Sequence, residues 1–184
     1  MVIKSKAGTL IFLLLAGIFT MAIFLVPAWH MGLFATGEIR EASFEKIEID
    51  GLPSLGDYYK TGKKILEVKA AYEAAGLRCR PAEMLLNDTR HVVKGYLNSV
   101  GGCLAELNIN KVRKKLNRED LQRLTMPAGR GIEVKVDAHP VFAVRKAIGI
   151  IQKESDRRKL KTLFPVLYYI DDDQTPIFRV IFVK

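Results

Sequence analysis

The chain has 184 residues, with 29 Lys and Arg against 20 Asp and Glu, which gives a net charge of +9. Its two cysteines are too few for a disulfide framework, and His30, His91 and His139 lack metal-ligand spacing, so neither a disulfide-rich fold nor a metal site is expected. About 145 residues follow the apolar N-terminal segment, which is enough for one domain with its own hydrophobic core.

The first segment is a long uncharged run. No charged side chain occurs between Lys6 and Glu38, and apolar residues are densest from 9 to 26. A helix that crosses a bilayer needs about 20 such residues. Pro27 and Trp29 then form a helix-breaking, amphipathic exit of the kind seen at membrane interfaces. The run predicts a transmembrane anchor. A cleaved signal peptide is the alternative, although the apolar core of such peptides usually has only about 7–15 residues.

Basic residues set the predicted orientation of this anchor. Lys4 and Lys6 precede it together with the amino terminus, whereas Arg40 and Lys46 after it stand among glutamates. Basic residues favour the cytoplasmic side, so we predict a single-pass protein with a cytoplasmic N-terminus and an extracytoplasmic domain. The predicted organisation is a basic tail, the anchor, a linker and one domain, at residues 1–6, 7–34, 35–40 and 41–184.

The first half of the domain predicts the order β-α-β-β. Strands are expected at 44–50, at 82–86 and within 92–107, where Gly101 and Gly102 suggest a bulge or a bend. Between the first two strands, apolar residues at helical spacing predict a helix that Thr61 caps and Gly76 ends.

The second half predicts the same order. A polar, basic segment at 108–123, partly helical after Asn117, leads into it. Alternation then predicts a strand at 132–136, and helical spacing predicts a helix from Pro140 to about residue 163. Strands at 166–170 and 177–183 follow, joined by an acidic turn at 171–173. The predicted fold class is therefore α+β, with tandem β-α-β-β repeats, an antiparallel sheet and two main helices.

Four short segments carry a resemblance to a known family: 82–88, 90–102, 126–131 and 164–172. In their order and spacing they resemble the GyrI-like small-molecule-binding domain, which shares its fold with SOUL haem-binding proteins, and the resemblance covers residues 41–184. A membrane-anchored GyrI-like domain also occurs in an autophagy receptor that works through a disordered tail. The last predicted strand here ends at the end of the chain, so that receptor role is not expected.

The resemblance implies a ligand cleft between the two repeats, among aromatic side chains. The positions that match the cleft are Tyr58, Tyr59, Met84, Phe142, Arg145 and Tyr168. For Met84 and Phe142 a place in the hydrophobic core is the alternative.

One departure from the family bears on mechanism. Multidrug-sensing and hydrolytic members use a glutamate in the strand after the proline, but residues 166–170 contain no acid. This argues against cation sensing and hydrolysis, so we expect non-catalytic binding of a small hydrophobic ligand or a protein partner, without a catalytic residue or cofactor. A hydrolase of small reactive compounds, using Asp57 and the adjacent tyrosines, is the alternative. Haem binding through His91 or His139 is a third hypothesis.

The surplus of basic residues lies in one region. Residues 108–161 carry 15 Lys and Arg against 6 Asp and Glu, whereas 41–107 carry 9 against 10. Such a region could contact anionic lipid headgroups or form a solvated basic face. Nucleic acid is not expected as a partner, because no aromatic-interleaved motif occurs. Cys79 and Cys103 are expected to be buried thiols that pair only in an oxidising compartment.

Overall fold

The computed structural model describes residues 6–32, 34–106, 108–160 and 164–182. They form two compact units, which meet in sequence between Ala35 and Thr36. The first unit is helix α1 (Lys6–His30), which contains Pro27 and is long and apolar enough to cross a membrane. Length and composition alone do not separate such a span from a signal sequence. Its large side chains, such as Phe19 and Phe24, are exposed.

The second unit is built on eight strands. These are β1 (Gly37–Phe44), β2 (Ile47–Leu55), β3 (Pro81–Leu85), β4 (Asn98–Leu104), β5 (Gln122–Met126), β6 (Gly129–Val136), β7 (Val166–Ile170) and β8 (Pro176–Ile181). They form one antiparallel sheet in the order β1-β6-β8-β7-β3-β4-β2-β5. The two strands that follow the two main helices, β3 and β7, are therefore neighbours at the centre of the sheet.

Three further helices belong to this unit. They are α2 (Thr61–Ala74), α3 (Ile109–Leu116) and α4 (Pro140–Arg158). Helix α2 packs on β4 and β2, and α4 packs on β6 and β8. Buried residues on the α4 side include Ile132, Val134 and Phe178, whereas Met84 and Leu167 belong to a cluster on the other face of the sheet. The α+β class and the antiparallel sheet are thus confirmed.

The sequence missed both edge strands of the sheet. Residues 37–40, predicted as linker, form the first half of β1, and the predicted strand at 44–50 is divided between β1 and β2. Strand β1 is mostly exposed and β5 has a single buried residue, so both lack the apolar alternation by which a strand is recognised in sequence.

Helix α3 also differs from the prediction. The helical segment precedes Asn117 instead of following it. The side chain of Asn108 caps its first turn by accepting a hydrogen bond from the Asn110 amide at 2.9 Å. Asn117 itself has φ 52° and ends the helix in the left-handed conformation that asparagine tolerates.

The two glycines of β4 do not form the predicted bulge. Pairing with β2 runs without interruption through Leu52–Gly101 and Gly51–Gly102. A Cβ at Gly102 would lie 2.0 Å from the carbonyl oxygen of Asp50, and one at Gly101 would lie 2.5 Å from Cγ2 of Thr61. Both positions therefore serve close packing, one against a neighbouring strand and the other against α2.

The two cysteines are paired, contrary to the expectation of free thiols. Cys79 and Cys103 form a disulfide with a Cα–Cα distance of 5.2 Å, across a separation of 24 residues. The bond joins the segment before β3 to the end of β4. Sequence spacing could not show this contact, because it depends on how the two strands align.

The close approach at Gly102 gives a stability prediction. We expect Gly102→Ala to lower the free energy of unfolding by more than about 2 kcal/mol, because its Cβ would overlap the Asp50 carbonyl and separate β4 from β2. Gly62→Ala is the matched control, since nothing lies within 4 Å of its Cβ and alanine favours a helix. Urea unfolding of the detergent-solubilised chain, followed by near-ultraviolet circular dichroism, measures both. Equal stabilities would contradict the packing described.

Candidate ligand-binding site

A row of cross-strand partners runs through the centre of the helix-bearing face. Glu83 on β3 is paired with Gly101 on β4 and with Tyr168 on β7. Tyr168 is in turn paired with Phe178 on β8. Paired residues in an antiparallel sheet point to the same face, so this row places a carboxyl group between a glycine and two aromatic rings.

The Glu83 carboxyl is buried without a full set of partners. The residue is 3% exposed, and its Oε1 atom has no hydrogen-bond partner among the described residues. Burial raises the pKa of Glu83 from its ordinary 4.5 to about 8, which the nearby Thr61 and Ser99 hydroxyls oppose only in part. This carboxyl group is therefore poised between its neutral and ionised forms near physiological pH.

Helix α2 supplies one wall beside this carboxyl. Thr61, the first residue of α2, does not cap the helix as predicted; its side chain is buried. Its Oγ1 lies 2.6 Å from Oγ of Ser99, in a hydrogen bond between the two hydroxyls. Gly101 allows this approach, because any side chain there would meet Thr61 and Ile65. The side of the site formed by Thr61, Ser99 and Gly101 thus consists of small residues, and it presents hydroxyl groups next to Glu83.

Tyr58 supplies a second, aromatic group. It lies on a short 3-10 helix, Tyr58–Lys60, and is 5% exposed. Its hydroxyl donates to the carbonyl oxygen of Asn87 at 2.5 Å and accepts from the Asn87 amide at 3.1 Å. Burial raises its pKa to about 12, and Glu83 adds to that effect. These bonds fix the tyrosine against the loop that follows β3.

Tyr168, on β7, lies on the side of Glu83 that faces away from Gly101 and β4. It is 5% exposed and stacks on Phe178, with ring centroids 4.9 Å apart. Burial raises the pKa of Tyr168 to about 12, with a smaller contribution from the negative charge of Glu83. Both tyrosines therefore stay neutral at physiological pH and present aromatic surface close to a carboxyl group.

The residues predicted for the cleft are distributed over several surfaces. Tyr58 and Tyr168 lie on the helix-bearing face with Glu83. Met84 points to the other face of the sheet, where it packs in a cluster with Val100 and Leu167. The alternative of a core role for Met84 therefore fits its position.

The other three predicted residues lie on helices. Tyr59 is exposed. Phe142 and Arg145 belong to the first two turns of α4, where Phe142 is half-buried and Arg145 is exposed. Their part in binding stays a prediction.

Sequence reasoning missed Glu83. The family resemblance implies a glutamate within 166–170, the residues of β7, whereas the buried acid lies on the neighbouring strand β3. A signal was present, since Glu83 is a single charged residue within the apolar run of β3, where residues 82–85 are all buried. A lone acid in a strand buried on both faces indicates a functional group or an ion pair.

No protein-family model and no curated protein matches the chain. Solved structures do match. The C-terminal domain of EcmrR has TM-score 0.55 at 12% identity and covers 82% of this chain and 99% of its own. An integron cassette protein of Vibrio cholerae has TM-score 0.51 at 10% identity, with 82% and 98% covered. SAV2435, solved bound to tetraphenylphosphonium, has TM-score 0.51 at 7% identity, with 79% and 94% covered.

At such low identities these matches show the fold alone. The chain shares the fold of these three proteins, which is compatible with the predicted GyrI-like fold. Within the described residues, no group of three or more side chains that could hold a metal ion occurs.

The raised pKa of Glu83 gives a pH-dependent stability. Below pH 4.5 Glu83 is protonated in both the folded and the unfolded chain. Between pH 4.5 and 8 Glu83 loses its proton in the unfolded chain but keeps it in the folded chain. The free energy of unfolding therefore falls as the pH rises through this range. We therefore expect Glu83→Gln to match the parent at pH 4 and to exceed its unfolding free energy by about 3–5 kcal/mol at pH 9.

Urea unfolding at several pH values measures this difference. The exposed Glu119 supplies the control, because Glu119→Gln removes a carboxylate that the solvent already hydrates. A pH-independent effect of Glu83→Gln would mean that the carboxyl is not neutral in the folded protein.

Proposed function

We propose that the domain spanning residues 36–184 is a non-catalytic binding module for a lipophilic cation, and that Glu83 is the counter-charge. The buried carboxyl oxygen without a partner is the observation that carries this proposal. Leaving a polar atom buried and unpaired costs about 1–3 kcal/mol, and the binding of a cationic ligand would offset this cost.

The surroundings of Glu83 favour a large, weakly hydrated cation. Tyr58 and Tyr168 are aromatic, and their rings attract positive charge as well as apolar surface. A small metal ion would need several oxygen ligands, whereas a lipophilic cation needs one carboxylate and apolar contact. The absence of an acid from β7 therefore does not exclude cation binding, because β3 supplies the carboxyl group next to it.

The element order supports a cleft between two similar halves. The order β2-α2-β3-β4 is followed by β6-α4-β7-β8, and β3 and β7 are the strands through which the two halves pair. We infer that these are the tandem repeats of a GyrI-like domain. Glu83 and Tyr168 then lie on the central strands of the two repeats, where the family resemblance places its ligands.

Hydrolysis is the second candidate, because a carboxyl group with a pKa of about 8 is suited to proton transfer near neutral pH. A nucleophile would also be required. The nearest hydroxyls, on Thr61 and Ser99, are hydrogen-bonded to each other, and an imidazole base is not part of the cluster described. The geometry therefore favours binding.

We also propose that α1 anchors the domain to a membrane, with the domain on the extracytoplasmic side. The Cys79–Cys103 disulfide supports this side, because disulfides persist in oxidising compartments and are rare in the cytosol. A role for 108–161 on anionic headgroups stays a prediction. Several of its cations are already paired within the domain, including Arg118 with Asp120 and Arg123 with Asp50.

Titration with tetraphenylphosphonium tests the binding proposal. We expect the detergent-solubilised chain to bind this cation, with an affinity that rises at least tenfold between pH 6 and pH 9 as Glu83 loses its proton. Glu83→Gln should abolish the pH dependence and weaken binding at pH 9 at least tenfold, whereas Glu119→Gln should change neither. Isothermal titration calorimetry measures all three proteins.

Tetraphenylborate is the matched control ligand, because it has the same shape and the opposite charge. The parent chain should not bind it in preference to the cation. Equal binding of both ions would show a merely apolar site. Hydrolysis of p-nitrophenyl acetate that disappears in Glu83→Gln would instead favour the hydrolase.

A topology reporter tests the anchor. Alkaline phosphatase, which folds only outside the cytoplasm, should be active when fused after Lys184, and sodium carbonate should leave the protein in the membrane pellet. Removing residues 1–35 should release it. An active cytoplasmic reporter at the same position, such as green fluorescent protein, would overturn the proposed orientation.

A further inference from the structure

A concave site lies on the face of the sheet opposite α2 and α4. It has a volume of about 410 Å³ and is lined by side chains from six strands of both halves. Four of these side chains are cationic, Arg40, Arg80, Lys135 and Arg179, whereas two are acidic, Glu133 and Asp171. Glu83 points to the other face, so this cleft is distinct from the cation site described above.

Glu133 does not give this cleft a negative character, because its charge is already matched. It is 2% exposed and accepts a hydrogen bond from Nε of Arg179 at 2.8 Å. Nη2 of Arg40 lies 3.3 Å from its other carboxylate oxygen. Arg179 also lies over the rings of Phe44 and Tyr169, at 4.9 and 5.0 Å from their centroids. Glu133 thus holds the guanidinium groups of Arg40 and Arg179 in place. Its single negative charge balances one of their two positive charges.

Lys135 adds to this surplus. It is exposed, and no carboxylate within 4.0 Å of it is found among the described residues. Its cross-strand neighbours are Glu38 on β1 and Ile177 on β8. By contrast, Nη2 of Arg80 donates to both carboxylate oxygens of Asp172, at 2.9 Å each. The positive charge of Arg80 is therefore largely balanced by Asp172. The available positive charge is therefore concentrated at Lys135 and Arg40.

Besides its six charged residues, the cleft is lined by four apolar or aromatic residues, which we call the apolar floor. Ile47, Leu104 and Ile177 line it, and Tyr169 adds an aromatic ring. These residues belong to the buried cluster of this face or pack against it. A fully hydrated inorganic ion would leave that surface unused, whereas an organic anion would cover it and place its charge at the rim.

We propose that this cleft binds a small organic anion, a carboxylate or phosphate ester with an aromatic or aliphatic portion. The anionic group lies between Lys135 and Arg40, and the apolar portion rests on Ile47, Leu104 and Ile177. Arg179 is a positioning residue, because it fixes Glu133 and through it Arg40. The protein then has two ligand sites of opposite charge preference, one on each face of the same sheet.

Phenyl phosphate tests this proposal. We expect it to bind the full chain in neutral detergent, at least fivefold more tightly than inorganic phosphate, which lacks the ring, and than benzyl alcohol, which lacks the charge. Lys135→Gln should weaken binding at least fivefold. Glu38→Gln should strengthen it, since it removes a carboxylate opposite Lys135. Isothermal titration calorimetry at 50 mM salt measures the affinities.

Lys153→Gln on α4 is the matched control, because it removes an equally exposed charge from the helical face. Unchanged binding in this variant supports the proposal. Equal losses in both lysine variants would show non-specific attraction to a basic protein, and equal affinity for inorganic phosphate would exclude the apolar floor as part of the site. Vesicles with and without phosphatidic acid separate the two sources of a phosphate ester; competition only by the former identifies a lipid headgroup.

Two cross-tests separate this site from the cation site. Glu83→Gln should leave phenyl phosphate binding unchanged, and Lys135→Gln should leave tetraphenylphosphonium binding unchanged. Loss of both activities in either variant would mean that the domain has misfolded or that one cleft serves both ions, and the latter would overturn the assignment of two sites.

Discussion

The burial of one carboxyl group at the centre of the sheet is the constraint on which the rest of the domain depends. Glu83 lies where the two halves pair through β3 and β7, and its Oε1 atom has no partner within the described structure. The fold tolerates this because Gly101 admits the small polar wall of Thr61 and Ser99, which lowers the cost of burial in part. Burying Glu83 at the centre of the sheet therefore lowers the stability of the domain, a cost that is common at functional sites.

A second buried glutamate shows what Glu83 would be if it were structural. Glu133 is as deeply buried, but Arg179 and Arg40 neutralise it. A paired buried acid organises its surroundings, whereas an unpaired one raises its own pKa and awaits a partner. The two acids lie on opposite faces of one sheet. The two acids differ in their partners and not in their depth, and this difference is the reason for assigning the proposed binding role to Glu83 and not to Glu133.

The elements that could be predicted from the sequence are those whose burial leaves a recognisable pattern of apolar residues. Helix α2 and the start of α4 have helical periodicity because each buries one face, whereas β7 and β8 are apolar runs that are buried on both faces. Strands β1 and β5 lie at the edges and bury little, so their sequences carry no such pattern. The site was predicted only in part for a related reason. Tyr58 and Tyr168 could be placed by resemblance, but the pairing of Glu83 with Tyr168 depends on register between strands distant in sequence.

The proposed cation site places limits on its ligand that follow from the pKa of Glu83. A pH of 7 is about one unit below the Glu83 pKa of about 8. Ionising the carboxyl group at this pH therefore costs about 1.4 kcal/mol, which corresponds to a factor of ten in affinity. Covering a single aromatic ring provides more than that, since burial of apolar surface yields about 25 cal/mol per Å². A lipophilic cation can therefore displace the proton, whereas a small hydrated cation gains no such burial. The tyrosines thus select for apolar character, and the carboxyl group selects for charge.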